Sequence, residues 1–113
     1  MKYAIFTSAL LAVAAQSGAF AAACSDTRCS GQVSVLYVTA SGDAYVGLVG
    51  GLAGLTGCTP DNGAQQYLTL SASSPNMKLL YATLLSSQMA GRSITIGAEP
   101  YSIGCKIKYV TSP

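Results

Sequence analysis

The sequence predicts a small α+β protein with five short antiparallel strands, one helix and two disulfides, exported from the cytoplasm. Three observations lead to this prediction. The chain of 113 residues opens with an apolar leader, and the part that follows holds four cysteines. Only one stretch of that part has helical periodicity, while its other regular stretches combine β-branched and aromatic residues with glycine turns. Without the leader, the length suits a single domain.

The beginning of the chain has the organisation of a secretory signal peptide. After one lysine, Ala4–Ala15 is almost uninterruptedly apolar, and both Ala19–Ala21 and Ala21–Ala23 fit an A-x-A cleavage site. The apolar run is too short to cross a hydrocarbon core of about 30 Å. We therefore expect residues 1–23 to be a signal peptide and no membrane span to remain. Lipid modification of Cys24 is the alternative, and it would leave an odd number of cysteines.

Four cysteines follow the leader, and they are Cys24, Cys29, Cys58 and Cys105. In a small exported domain such cysteines are expected to form disulfides, here with three possible pairings. Only four residues separate Cys24 from Cys29, so the favoured pairing joins these two and leaves Cys58 with Cys105. Chain entropy predicts about 2 kcal/mol of stabilisation from the short loop and about 4 from the long one. A zinc site would require paired C-x-x-C motifs, which these spacings do not provide.

Three strands are predicted before the helix. Gln32–Val38 and Ala44–Val49 are rich in β-branched and aromatic residues and flank the turn signal Ser41–Asp43, which indicates a hairpin. Gln66–Ala72 alternates apolar and polar residues and predicts a half-buried strand. Between the second and third strands, the glycine-rich stretch Gly50–Gly63 predicts a mobile loop.

One helix is predicted between Ser74 and Gly91. Ser74 is a suitable N-cap, Pro75 suits the first helical position, and Gly91 can end the helix in the left-handed conformation. Helical spacing predicts an apolar face formed by Met77, Leu80, Tyr81, Leu84, Leu85 and Gln88. Four residues are expected to lie largely off that face: Lys78, Thr83, Ser86 and Ser87. Because a helix of this length is not stable alone, the apolar face must pack on the strands.

Two strands follow the helix, Ser93–Ile96 and Cys105–Thr111, joined by the loop Gly97–Gly104. In the last strand apolar residues alternate with Lys106 and Lys108, which we expect to face solvent. The order β-β-β-α-β-β, with its helix between the third and fourth strands, is that of the OB-fold, a small five-stranded Greek-key barrel. We therefore predict an OB-like barrel. A flatter α+β sandwich, with the helix across one face of a sheet, is the alternative.

Several features of the chain occur together in known exported proteins. They are the leader, the strand Val33–Val38, the turn Gly57-Cys58, a helix that passes into a strand at Gly91-Arg92-Ser93-Ile94, and a late cysteine, Cys105. In these features the chain resembles small exported bacterial proteins of unassigned function and, more distantly, the B subunits of A–B toxins in the subtilase-cytotoxin and pertussis-like group. The resemblance implies an OB-fold, a pentameric ring and binding to cell-surface glycans. No sugar-contacting residue of that group has a matching motif here.

The composition excludes several kinds of chemistry. The chain contains no histidine, so a Ser–His or Cys–His pair and a histidine metal site are excluded. Its acidic residues are Asp26, Asp43, Asp61 and Glu99. Because Asp43 and Asp61 lie in turn contexts where aspartate serves the backbone, a pair of catalytic carboxylates is not expected. The chain has no cluster of basic residues of the kind that binds nucleic acid. We predict a protein that is not an enzyme and has no catalytic residue, metal, cofactor or nucleic-acid partner.

The predicted function is that of a secreted or periplasmic binding or assembly module formed by residues 24–113. In its toxin-B-like version it is a homo-oligomer that binds a glycan. The alternative is a monomeric exported protein that binds or inhibits another protein through the Gly50–Gly63 loop. Tyrosines suit such contacts because they present an apolar ring with a polar tip. Most are expected to pack on the barrel, and Tyr101, in a loop beside Pro100, is the candidate binding residue.

Overall fold

A computed structural model describes residues 22–60 and 67–112, which form a six-stranded antiparallel sheet with one helix. The strands are β1 (Ala23–Ser25), β2 (Arg28–Val38), β3 (Ala44–Leu48), β4 (Leu68–Leu70), β5 (Ser93–Ala98) and β6 (Ile107–Thr111). The helix α1 (Met77–Ala90) lies between β4 and β5. The small α+β class and the position of the helix are confirmed. Residues 1–21 of the predicted leader lie outside the described part of the chain.

The sheet has the strand order β4-β3-β2-β5-β6, and β1 pairs with β2. Strand β2 joins two halves of the sheet, because its residues up to Gln32 pair with β5 and those from Val33 onward pair with β3, with a bulge between Val33 and Val35. The edge strand β4 reaches the other edge of the sheet through an isolated parallel bridge between Thr69 and Lys106, the residue before β6. The sheet is not closed, so the predicted OB-like barrel is not confirmed.

The predicted number of five strands is corrected to six by β1, which forms a short hairpin with the start of β2. Cys24 lies directly opposite Cys29 in this pair, with 4.0 Å between their Cα atoms, and the two form a disulfide. Asp26, in the turn, has a left-handed backbone with φ of 55°. The sequence prediction missed β1 because its three residues are too few for a periodic pattern.

The second disulfide joins Cys58 to Cys105, with 5.2 Å between their Cα atoms. Both predicted pairings are therefore confirmed. Two disulfides in so small a protein indicate an oxidising environment, extracellular or periplasmic. None of the helices in the described ranges combines the length and the apolarity needed to cross a bilayer.

The helix departs from its predicted boundaries only at its N-terminal end. Its N-cap is Asn76, in the left-handed conformation and without a side-chain cap, whereas Ser74 and Pro75 belong to the preceding turn. At the other end Gly91 is left-handed, as predicted, with φ of 65°. The Arg92 N–H donates to the Ser87 carbonyl oxygen at 3.0 Å, which completes the glycine-terminated helix end.

The core lies between the inner face of the sheet, one side of α1 and the segment after β3. Its most buried side chains include Val46, Leu68, Leu70, Leu84, Ile94, Ile96 and Ile107. On α1 only Leu84 and Ser87 are buried, so the prediction that Ser87 lies off the packed face is wrong. Met89 and Leu79 are 80% and 68% exposed. Met77, Leu80 and Tyr81 are partly buried and pack against the same core, so the helix packs by most of its predicted apolar face.

The described part of the predicted Gly50–Gly63 loop is packed against the rest of the molecule. Leu52 and Leu55 are buried in the core. The Gly57 N–H donates to the Asp26 carbonyl oxygen at 2.8 Å, and Gly54 lies so close to the Cys24 carbonyl that a Cβ there would overlap it. The prediction of a mobile loop is therefore wrong for residues 50–60, which cover the end of the core.

Candidate functional site

Three tyrosines form a cluster on the outer face of the sheet. Tyr37 lies on β2, Tyr45 on β3 and Tyr67 immediately before β4. The ring centroids of Tyr37 and Tyr45 are 5.4 Å apart, those of Tyr37 and Tyr67 are 5.8 Å apart, and those of Tyr45 and Tyr67 are 6.2 Å apart. Tyr37 and Tyr67 meet edge to face at 83°. These separations are in the range of favourable aromatic pairs. We call Tyr37, Tyr45 and Tyr67 the tyrosine cluster.

Strand register brings the cluster together. Tyr37 is paired directly with Tyr45, so both side chains lie on the same face of the sheet. The neighbours of Tyr45 along β3, Ala44 and Val46, are fully buried on the opposite face. The tyrosine cluster is therefore on the side of the sheet that faces away from the core.

A glycine gives the third ring its place. A Cβ added to Gly47 would lie 3.2 Å from the Tyr67 ring and 3.2 Å from the Val35 Cβ, closer than ordinary van der Waals contact. Gly47 is itself buried, although it lies on the outer face. The Tyr67 ring thus covers the β3 backbone at Gly47, which has no side chain.

Thr69 adds a polar group beside the cluster. It pairs with Tyr45, so its side chain lies on the same face of the sheet. Thr69 is 7% exposed, and its Oγ1 has no hydrogen-bond partner among the described residues. Buried hydroxyls are usually hydrogen-bonded to protein or to ordered water. Tyr37, at 41% exposure, is the most accessible ring of the cluster.

A second aromatic surface is the loop between β5 and β6. Tyr101 and Ile103 are 93% and 79% exposed. The Tyr101 backbone is left-handed, with φ of 62°. Other residues hold this conformation: the Tyr101 N–H donates to the Gly57 carbonyl oxygen at 2.7 Å, and the Gly104 N–H donates to the Thr59 carbonyl oxygen at 2.6 Å. We call Tyr101 and Ile103 the loop knob.

The loop knob is further fixed from within its own loop and by a disulfide. The Lys106 N–H donates to Ser102 Oγ at 3.0 Å, and Ser102 Oγ donates to the Glu99 carbonyl oxygen at 2.7 Å. Cys58 and Cys105 join the two segments that make these contacts. The knob is therefore a rigid, uncharged projection.

An open groove of about 400 Å³ lies between α1 and the end of β6. Six residues of α1, from Leu79 to Ala90, form one wall, and Arg92 and Ser112 complete the lining. Most of the helical lining is small, as at Ala82 and Ser86. We call this the helix groove.

The predicted site residues are placed as follows. The cysteines Cys24, Cys29, Cys58 and Cys105 are all in disulfides. Tyr101 is exposed, and its binding role stays a prediction. The tyrosine cluster was not predicted. Tyr37 and Tyr45 lie on the two sides of the Ser41–Asp43 turn and pair with each other in that hairpin. The register of the hairpin is therefore the signal that could have identified the tyrosine cluster.

In the described ranges, no three His, Cys, Asp or Glu side chains come together as a metal-ligand set. Comparisons with protein-family models, with curated proteins and with solved structures found no match.

Proposed function

We propose that this chain is an exported, non-enzymatic binding module that holds a carbohydrate on the tyrosine cluster. The observation that carries the proposal is the packing of three tyrosine rings on the outer face of the sheet, with Tyr37 41% exposed. Sugar rings have apolar C–H faces that stack on aromatic rings, and their hydroxyls can bond to phenolic oxygens. The outer face of a sheet is also a rigid platform for such contacts.

An OB-like arrangement, which we propose for this open sheet, would favour the same location. Three features support that arrangement: the helix between β4 and β5, the shared strand β2, and the bridge between Thr69 and Lys106, the residue before β6. OB-folds bind oligosaccharides on the face of their second and third strands. With β2 as the first strand of that arrangement, Tyr45 lies on the second and Tyr67 borders the third.

The unpaired Thr69 Oγ1 favours a hydroxyl-rich ligand over an apolar one. Beside the rings, this buried hydroxyl needs a partner that the described residues do not supply. The resemblance to toxin B subunits also implies a glycan ligand, and the tyrosine cluster supports that ligand from an independent observation.

Export is supported by the leader and the two disulfides, and the contacts of Ala22 favour one of the two cleavage sites. The Ala22 N–H donates to the Val49 carbonyl oxygen at 2.8 Å, and Ala23 pairs with Ser30. Cleavage after Ala21 preserves both contacts, whereas cleavage after Ala23 removes them. The intact mass of the exported protein is therefore expected to correspond to a chain that begins at Ala22.

Glycan-array screening of the oxidised protein, followed by calorimetric titration of the best sugar, tests the proposed function. Tyr37→Ala should weaken binding at least about tenfold, because it removes the most accessible ring. Tyr37→Phe should lose less, because the stacking surface remains. Tyr101→Ser is the matched control, since it removes an exposed tyrosine elsewhere, and should bind the sugar as the original protein does. A protein that binds no sugar, or a Tyr37→Ala variant with full affinity, contradicts the proposal.

A further inference from the structure

Tyr37 and Tyr45 of the tyrosine cluster are held as a directly facing pair. They are partners in the register of β2 with β3, and their ring centroids are 5.4 Å apart with an angle of 41° between the ring planes. Because both side chains project from the same face of directly paired residues, their Cβ atoms stay within about 4.5–5.5 Å of each other while the hairpin is formed. Two phenols are therefore kept next to each other in the folded protein.

The third ring of the cluster meets the other two in a less suitable way for a covalent bond. The rings of Tyr37 and Tyr67 are 5.8 Å apart and meet at 83°, so the edge of one is directed at the face of the other. A bond between the ortho carbons of two phenols joins two ring edges, which this arrangement does not bring together. Tyr45 and Tyr67 are 6.2 Å apart. Of the three contacts, that between Tyr37 and Tyr45 is therefore the one that suits a bond between the rings.

Tyrosine is the side chain of this chain that a one-electron oxidant attacks most readily. The sequence has no histidine and no tryptophan, and its four cysteines are in disulfides. The disulfides also indicate an oxidising environment. Tyr37 is 41% exposed, so its phenol can be reached from solvent, and its ring has room to turn toward Tyr45.

We propose that Tyr37 and Tyr45 form a dityrosine cross-link when the protein meets a one-electron oxidant, such as a haem peroxidase acting with hydrogen peroxide. Each phenol gives up one electron and its hydroxyl proton, and the two phenoxyl radicals join through a carbon–carbon bond between their ortho positions. The hydrogens at those positions then move to the oxygens, which restores both phenols. Hydrogen peroxide takes up the two electrons and two protons and becomes water. This inference does not depend on the proposed carbohydrate function.

The cross-link would join a part of the sheet that the disulfides do not reach. One disulfide joins β1 to the beginning of β2, and the other joins the segment after β3 to the loop before β6. Neither includes a residue of β3 or β4. Since a carbon–carbon bond resists thiol reductants, the hairpin of β2 and β3 should remain linked after both disulfides have been reduced.

Tyr101 provides the competing reaction. Its ring is 93% exposed and projects into solvent, so a radical on it must meet a second molecule before it can couple. Coupling between two rings that are already held together is effectively unimolecular and does not slow on dilution, whereas coupling between molecules does. At about 1 µM protein, the cross-link within the chain should therefore exceed linked dimers at least about tenfold.

Treatment of the disulfide-bonded protein with a haem peroxidase and hydrogen peroxide tests the proposal. Dityrosine fluorescence reports the product, and the monomer should lose the mass of two hydrogen atoms. After reduction, an endoprotease that cleaves before aspartate, at Asp43 and Asp61, places Tyr37, Tyr45 and Tyr67 on three different fragments. The fragments that carry Tyr37 and Tyr45 should be joined. Hydrogen peroxide alone is the blank, because it converts exposed methionine to the sulfoxide without coupling rings.

Variants with phenylalanine keep each ring and remove the hydroxyl that is oxidised. Tyr37→Phe and Tyr45→Phe should each lower the dityrosine fluorescence of the monomer at least about tenfold, because one phenol of the pair is missing. Tyr67→Phe should retain the fluorescence. Tyr101→Phe is the matched control for an exposed tyrosine elsewhere, and it should form the cross-link as the original protein does while forming fewer linked dimers.

Several outcomes would overturn the proposal. They are a monomer whose mass does not change, a product that joins the fragment of Tyr37 to that of Tyr67, undiminished fluorescence in Tyr45→Phe, and a product made only of dimers linked through Tyr101. Sugar binding is measured on the protein before oxidation, so none of these outcomes bears on the proposed carbohydrate function, and the two proposals fail separately.

Discussion

The tyrosine cluster and the loop knob present the same kind of side chain in opposite ways. In the cluster, the rings contact one another at centroid distances of 5.4 to 6.2 Å. Space for one of them comes from Gly47. The ring of Tyr101, in contrast, is 93% exposed, and its backbone is held left-handed by contacts from the 57–60 segment and from its own loop.

This difference separates what each tyrosine does for folding from what it offers to a ligand. A left-handed conformation costs a residue with a side chain about 1–2 kcal/mol, and Tyr101 recovers little of that from packing of its ring. The cluster tyrosines recover packing energy from one another. The cluster is therefore both structure and surface, whereas the ring of Tyr101 is useful mainly to a partner molecule, as strained positions at binding sites often are.

The largest expected effect comes from removing the disulfide that supports the knob. Replacing Cys58 and Cys105 by alanine should lower the free energy of unfolding by about 4 kcal/mol, because the two cysteines are separated by 47 positions. Urea denaturation measures this loss. Hydrogen exchange should show protection lost at the Tyr101 amide but retained at the Tyr45 amide, because the knob depends on the disulfide and the cluster does not.

The short disulfide is the control for that experiment. Replacing Cys24 and Cys29 by alanine should lower the free energy of unfolding by only about 2 kcal/mol, since the loop that it closes is short. Equal losses from the two pairs, or equal loss of protection at Tyr101 and Tyr45, would contradict the distinction between the two surfaces.

A smaller effect is expected from truncating a ring of the cluster. Tyr67→Ala should lower the free energy of unfolding by about 2 kcal/mol, because it exposes the buried backbone at Gly47 and removes two ring contacts. Tyr101→Ala should change it by less than about 0.5 kcal/mol. Thermal and urea denaturation of the two variants, compared side by side, check this ranking, and the reverse ranking would show that the knob ring supports the fold.

The frame of the fold could be predicted from the sequence because its signals are local. Gly91 can adopt the left-handed conformation that ends a helix, and Cys24 and Cys29 are close enough along the chain to pair without other constraint. The start of the helix was predicted less well. Ser74 and Pro75 match the usual N-terminal pattern, but the chain turns once more before the helix begins after Asn76.

The surfaces could not be predicted in the same way because they depend on contacts between distant segments. The tyrosine cluster requires the register of β2 with β3 and the position of Tyr67, which lies far along the chain. The burial of Leu52 and Leu55 has no periodic signature in a glycine-rich stretch. Tyr101 could be identified as exposed from its loop, but the contacts from Gly57 and Thr59 that fix it are tertiary.

Gly47→Ala tests how closely the cluster is packed. The added methyl group would lie 3.2 Å from the Tyr67 ring, so the ring must move by a few tenths of an ångström, and we expect a loss of about 1 kcal/mol. In a Tyr67→Ala background part of this loss should disappear, because the ring is gone, whereas the approach of 3.2 Å to the Val35 Cβ remains. A double-mutant cycle by urea denaturation measures the coupling, and a coupling of zero would mean that Gly47 and Tyr67 are independent.

The smallest effect on folding is expected at the knob. Tyr101→Gly should raise the free energy of unfolding by about 0.5 kcal/mol, because glycine adopts a φ of 62° without strain but has more freedom to lose on folding. Tyr101→Ala, which keeps a side chain at the left-handed position and loses the ring, should not gain this stability. If Tyr101→Gly is instead less stable than Tyr101→Ala, the left-handed backbone of Tyr101 is not a source of strain. The proposed difference between the tyrosine cluster, whose rings stabilise one another, and the loop knob, whose backbone is held by other segments, would then be wrong.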